Sequence, residues 1–330
     1  MTDLYPLKFI PILKERIWGG NALAGRWNKK GEIITGIGES WELSAVQNDL
    51  SVVSNGFLEG NNIEEIIEVY MGDLVGEEVF EKFGNEFPLL VKLIDAREVL
   101  SVQVHPDDKL ARERHNAYGK TEMWYVLEAS GDSNIYAGFN KDLSREEYIE
   151  SLSGSDLKSL LNCVTAIPGD SFFIPAGTIH ALGGGLVVAE IQQTSDVTYR
   201  VFDWNRVDVN GNSRDLHTDL ALDALNFSKT PDPRNHITPV PNKPANIADC
   251  KYFTVNLVSA EESLTRDYTL TDSFVIYLCI RGSMEIETGS DPVRVDKGET
   301  VLIPAITDFV NITSSPGTEF LEIYIKKEQE

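Results

Sequence analysis

The chain has 330 residues, long for one compact core and comfortable for two, with 42% apolar, 9% aromatic and 25% charged residues. This composition builds a buried core and excludes a disordered, collagen-like or coiled-coil chain. Twenty-nine Lys and Arg against 52 Asp and Glu leave a formal charge of −23, so the overall field repels polyphosphate and anionic lipid, and neither a nucleic-acid nor a membrane-surface role is expected.

A small anionic ligand would have to be met by a few local cations. Three widely spaced cysteines, Cys163, Cys250 and Cys279, form neither a disulfide framework nor a CxxC motif, which points to a reducing compartment. The N-terminal segment MTDLYPLKFIPILKERIWGG has an acid at position 3, prolines in its short apolar run and no small-residue cleavage site, so it does not read as a signal peptide. No apolar run approaches the ~20 residues that span a bilayer. A cytoplasmic location is the expectation.

In chain order, the segments SWELSAV, LLVKLIDA, LSVQVHP, EMWYVLEA, NIYAGF, SFFIPAG, LVVAEIQQ and VTYRVFDW are short, rich in β-branched and aromatic residues and punctuated by Gly, Pro and Asp, the signature of strands. Helical periodicity is local. Between Ile63 and Phe83 the residues Ile63, Ile66, Ile67, Tyr70, Met71 and Leu74 share one face. A second helical region follows Leu143, with Ser144 and Glu147 in capping-box spacing and Tyr148, Leu152, Leu157, Leu160 and Leu161 as buried positions. A third short helix is expected over Thr218 to Leu225. The stretch Ser228 to Asn246, with five prolines and almost no apolar periodicity, reads as a linker or extended strap.

The sequence also repeats itself. GDSFFIPAGTIH (Gly169 to His180) aligns with GETVLIPAITDF (Gly298 to Phe309), and EMWYVLEASG (Glu122 to Gly131) with SFVIYLCIRG (Ser273 to Gly282). Where the first copy has Glu122, Gly177 and His180, the second has Ser273, Ile306 and Phe309. Whatever the first does with a carboxylate and an imidazole, the second cannot do.

In LSVQVHP the period-two alternation turns Ser101, Gln103 and His105 to one face and Val102 and Val104 to the other. Glu122 opens the next apolar strand, and in G-x5-P-x-G-x2-H the Gly and Pro turn the chain so that His180 aims inward. Two imidazoles, a carboxylate and an amide oxygen are a ligand set for a catalytic zinc or another divalent ion. The same donors suit an Fe or Mn oxygenase or decarboxylase, because two histidines and a carboxylate do not choose the metal. A non-enzymatic sugar-binding or storage protein is a third reading, although it predicts ligand loss in both copies. His115, His217 and His236 lack such a context and read as exposed or capping residues.

These patterns resemble the cupin family. Within it, LSVQVHPDD, GKTEMWYVLEA, PAGTIHALGGG and VAEIQQTSDVTYRVFDWNR, with RIWGG at Arg16 to Gly20 and ESWELS at Glu39 to Ser44, resemble the type I mannose-6-phosphate isomerases in their short bacterial form. The resemblance covers residues 8 to 227 and extends more weakly beyond. It implies a mainly β fold of two cupin-like jelly-roll barrels, a catalytic one with helical insertions over 1–235 and a metal-free one over 236–330. It also implies that mannose 6-phosphate and fructose 6-phosphate interconvert through a cis-enediolate. Gln103, His105, Glu122 and His180 would hold one zinc, Arg200 would be the active-site arginine, and Ser101 and Lys120 would help hold the phosphate. Trp18 and Glu42 are candidates for the sugar pocket.

The general base stays open among a metal-bound water, Glu190 and another carboxylate, with Glu190 favoured because EIQQ places it on the face of Gln192. Lys120 supplies the local cation that the acidic background demands. The phosphosugar is the expected partner, and self-association is left open.

Overall fold

The computed structural model describes residues 4–31, 35–153, 157–207 and 211–327. The expected strands form, and they assemble into four large antiparallel sheets. A seven-stranded sheet runs in the order Arg234–His236, Asp170–Ile174, Glu122–Ala129, Leu186–Gln193, Leu89–Ala96, Ile12–Gly20 and Ile37–Leu43. Facing it is a five-stranded sheet of Leu161–Thr165, Asn134–Phe139, His180–Leu182, Val102–Val104 and Tyr199–Phe202. Trp18, Ile94, Trp124, Val126, Ile135, Phe172, Leu182 and Val188 fill the space between them.

The C-terminal part repeats this plan with a six-stranded and a four-stranded sheet, whose interior holds Tyr277, Met284, Val295, Val301, Ile312 and Phe320. The outer faces of the seven- and six-stranded sheets pack on each other through one core, in which Val91, Leu93, Met123, Ala189 and Ile191 meet Val255, Leu257, Ile276, Leu321 and Ile323. The order of layers is therefore five, seven, six, four. This explains why all eight residues of LVVAEIQQ are buried: a strand covered on both faces has no solvent side.

The mainly β expectation holds, whereas closed barrels are not what forms. Among the described residues every sheet is open, and the edge strands of the five-stranded sheet bond to no strand of the seven-stranded one. Strands of three to six residues in that smaller sheet are too short to curl across the gap and complete a hydrogen-bonded ring.

Several other expectations are adjusted by local geometry. The periodic stretch from Ile63 is not one helix but three, Ile63–Tyr70, Gly72–Val75 and Glu77–Phe83, because Met71 and Gly76 take positive φ angles of 48° and 100°. A Cβ at Gly76 would lie 2.4 Å from the carbonyl oxygen of Asp272, so this break also lets the C-terminal part approach closely. The capping box at Ser144 and Glu147 is present in both directions, but Leu161 leaves the helical region to start a strand opposite Phe139. The proline-rich stretch is not a free strap either: Arg234–His236 pairs with Asp170–Phe172, and Pro244–Asp249 forms an edge strand on Thr254–Ala260. Near the other end of the chain, Leu7–Lys8 pairs with Val301–Leu302, so the N-terminal segment belongs to the sheet of the second part.

Candidate active site

The site lies in the gap between the seven- and five-stranded sheets. Across the small sheet, His180, Gln103 and Arg200 stand side by side, His180 opposite Gln103 and Gln103 opposite Arg200, while Val102, Val104, Tyr199 and Val201 face the helices on its other side. From the large sheet, Glu122 and Trp124 pair with Gln192 and Glu190, which puts all four on the inner face.

His105, Glu122 and His180 converge, their donor atoms all within 4.8 Å of one another. His180 Nε2 is 3.3 Å from Glu122 Oε1, and His105 Nε2 is 3.4 Å from Glu122 Oε2. Each imidazole is fixed from behind: His105 Nδ1 donates to the Val197 carbonyl at 2.9 Å, and His180 Nδ1 to the Thr178 carbonyl at 2.8 Å. With Nδ1 protonated, both Nε2 lone pairs face the carboxylate, the orientation that holds histidines on metals. The Gln103 amide adds a group 3.2 Å from His180 Nε2, and turned end for end it would offer its oxygen on the same side.

Charge agrees with this arrangement. Burial, with the Lys120 ammonium alongside, pushes His105 down to about 3, and burial lowers His180 as well. Burial alone would raise the Glu122 carboxyl, but the Lys120 ammonium holds it well below the usual carboxylate range. The donors are thus two neutral imidazoles and a carboxylate. Glu122 Oε1 is buried and has no hydrogen-bond partner among the described residues, an arrangement that costs free energy unless a cation completes it. The residues present fit a divalent ion held by His105, Glu122 and His180, with Gln103 beside them.

Lys120 sits at this centre. Its ammonium pairs with Glu122 Oε2 and lies 3.0 Å from His105 Nε2, and although burial opposes its charge, Glu122 and Glu190 keep its pKa above the ordinary value. Ser101 is buried just before the strand that carries Gln103. Arg200 is half-buried, donates from Nη1 to the Asp215 carbonyl at 2.9 Å and has a buried Nε without a partner among the described residues. Glu190 takes Lys92 Nζ at 2.9 Å and Trp124 Nε1 at 2.8 Å. Trp18 is buried in the inter-sheet core with Trp124. Glu42 is not brought to the site: it projects from the opposite face of its strand and forms a buried pair with Lys29 at 2.7 Å. On the site side of that strand the structure places Trp41 instead, opposite Lys92.

The sequence reading missed Lys92, Asp203 with Arg206 and Arg214, and His217. Lys92 bridges Glu190 and Gln192, and only strand pairing could reveal it. Asp203 binds Arg206 and Arg214, and Arg206 Nη1 also reaches the Val99 carbonyl, two residues before Ser101. His217 braces Arg200, taking its backbone N–H on Nδ1 at 3.1 Å and donating its own to the Arg200 carbonyl at 2.7 Å.

Strand register also refines the repeat. Ile174 lies opposite Glu122 and Ile303 opposite Val275, so the true counterpart of Glu122 is Val275, two residues beyond Ser273. The second part lacks the carboxylate either way.

Known proteins share this architecture. The family model for the catalytic domain of type I phosphomannose isomerase matches residues 7–142, and that for the mannose-6-phosphate isomerase cupin domain matches residues 245–318. Mannose-6-phosphate isomerase ManA of Bacillus subtilis (strain 168) is 35% identical over 304 residues, 91% of this chain and 93% of the relative. The chain belongs to the type I phosphomannose isomerase family. The mannose-6-phosphate isomerase of Streptococcus mutans is 33% identical over 91% of this chain and 92% of its own length. The crystal structure of the mannose 6-phosphate isomerase from Bacillus subtilis superposes with a TM-score of 0.82 at 30% identity, covering 98% of this chain and all of that one. No described helix of this family member is long and apolar enough to cross a membrane.

Proposed function

We propose that this chain interconverts mannose 6-phosphate and fructose 6-phosphate at the gap between the two N-terminal sheets, with one zinc ion held by Gln103, His105, Glu122 and His180. The observation that carries the reading is the convergence of three buried donors beside an arginine whose Nε has no partner among the described residues. A bound divalent ion would supply Lewis acidity toward the sugar oxygens.

The chain's own groups account for the rest. The reaction moves a proton between C1 and C2 and builds negative charge on the adjoining oxygens. Arg200, permanently protonated and next in the row to Gln103, offers N–H donors to that charge. Lys120 adds a second fixed positive charge beside His105, where it would offset the charge of the bound sugar phosphate. Ser101 would meet the phosphate, with Arg206 bonded to the Val99 carbonyl two residues before it. Trp18 and Trp124 wall the gap and exclude water.

Glu190, anchored by Lys92 and Trp124, is the carboxylate proposed to move the proton. Glu190→Gln is expected to lower kcat about 100-fold, the usual scale for a lost acid–base group. A steady-state assay checks it, and a kcat within twofold of wild type removes Glu190 from proton transfer.

The organisation follows the same reading: we take residues 1–235 as the catalytic unit and 236–330 as a cupin-like unit without ligands that buttresses it, with Leu7–Lys8 exchanged into the sheet of the second and His236 ending a strand of the first. A cytoplasmic location fits this reading, since the three free cysteines suit a reducing compartment.

The deciding experiment is a coupled assay for fructose 6-phosphate formation from mannose 6-phosphate, before and after chelation and after adding back zinc. Activity lost to the chelator and restored by zinc is the expected result. A fully metallated protein without activity defeats the assignment and favours another metal-dependent cupin reaction.

A further inference from the structure

The C-terminal part touches the first part mostly through apolar side chains, and among its polar contacts one leads to the site. Tyr252, in the turn between Pro244–Asp249 and Thr254–Ala260, donates its hydroxyl to Asp108 Oδ2. The other carboxylate oxygen of Asp108 accepts the backbone N–H of Gly119 at 3.1 Å and the side-chain amide of Gln193 at 2.9 Å. Gln193 in turn accepts the Thr121 backbone N–H at 2.9 Å through its side-chain oxygen. Gly119 and Thr121 flank Lys120, and Glu122 follows directly.

The same belt reaches the histidines. Thr121 Oγ1 accepts the Ala176 N–H at 3.2 Å, Gly177 donates to the His105 carbonyl at 2.9 Å, and Lys120 donates from its backbone to the Pro106 carbonyl at 3.1 Å. Gly119 packs so closely that a Cβ there would lie 2.5 Å from the backbone nitrogen of Asp108, so the segment 119–121 has one seating against Asp108. Without the Tyr252 hydroxyl, Oδ2 of Asp108 keeps only Lys251 at 3.4 Å, and that lysine is largely exposed. Asp108 is then free to turn to solvent and release Gly119 and Gln193 together.

We infer that Tyr252, through Asp108, is a positioning residue for the metal site: the second unit sets the placement of Lys120 and Glu122 by a chain of hydrogen bonds. The inference deepens the isomerase reading and rests on it for the part expressed as turnover. Hydrogen-bond partners that orient metal ligands characteristically change metal affinity or activity by about 10–100-fold.

The test compares wild type, Tyr252→Phe and, as a control, Thr254→Val, which removes a hydroxyl bond to Asp249 in the same turn without touching Asp108. Cobalt(II) is titrated into metal-stripped protein and followed by its visible absorption, and kcat and KM are measured on the zinc enzymes. Tyr252→Phe is expected to weaken cobalt binding about tenfold and lower kcat by a similar factor, with KM within twofold and Thr254→Val like wild type. Wild-type cobalt affinity in Tyr252→Phe overturns the inference, as does an equal loss in Thr254→Val, which would mark general loosening. Should Tyr252→Phe fail to fold, Asp108→Asn interrogates the bridge from its other side with the same expected outcome. A wild-type protein that binds cobalt but does not isomerise the sugar phosphates defeats the functional reading alone, because the cobalt comparison still decides the role of Tyr252.

Discussion

His180→Ala is expected to abolish isomerase activity and to weaken metal binding by more than the 10–100-fold typical of changes outside the ligand shell, while leaving the sheets intact. His180 is fully buried, stacks its ring edgewise against Trp124 at 5.3 Å and brings Nε2 within reach of both Glu122 and Gln103. Its removal takes away one of three convergent donors, and no neighbouring side chain replaces it. The stability cost is smaller than for an apolar core residue of this size, because the lost group is a polar ring and the space opens beside other polar atoms. Metal content per chain, the coupled isomerase assay and the thermal midpoint check these three parts separately. A variant that still holds metal and turns over normally would remove His180 from the site.

Arg200→Ala is expected to keep the metal and lose turnover, by about 10²–10³ in kcat, the scale on which a single preorganised donor to developing negative charge acts. Burial, together with Arg214 nearby, already lowers the Arg200 pKa from its ordinary value, so the guanidinium stands in a partly desolvated, cation-rich setting where an oxyanion is welcome. Arg200→Lys should not rescue, since an ammonium cannot reproduce the planar fork while Nη1 is held by the Asp215 carbonyl. Steady-state constants alongside metal stoichiometry provide the check. A large rise in KM with kcat unchanged would move Arg200 from the reacting atoms to ground-state binding.

Glu190 shows how a repeat can inform a role. Its strand neighbours Trp124 and Lys92 have counterparts Tyr277 and Asn256 around Glu322 in the second unit. There the carboxylate is equally buried and accepts from Asn256, Tyr268 and Arg266. A buried carboxylate bonded on both oxygens therefore occurs at the same place in both halves, with metal donors in only one. This constrains Glu190 to a fixed position beside the donors.

The candidate ligands were legible because their spacing is local. LSVQVHP alternates, EMWYVLEA opens on its acid, and the Gly and Pro before His180 dictate a turn, so the side each residue faces follows from backbone period alone. The run of short β-branched and aromatic segments likewise marked a β-rich chain with helical insertions. Glu42 shows the limit: alternation along Ile37–Leu43 puts Trp41 and Glu42 on opposite faces, but only the pairing of Trp41 with Lys92 decides which of the two faces the site.

By itself the sequence determined the strands, the duplicated plan, the candidate donors and the one copy that carries them, since these depend on residue types at short separations. Tertiary structure alone decided that the sheets stay open, that both parts share one core, that Leu7–Lys8 pairs with the far sheet, and that Lys92 bridges Glu190 and Gln192. Each of these rests on contacts between residues tens to hundreds of positions apart, whose energies come from buried area and hydrogen-bond geometry that no local pattern encodes.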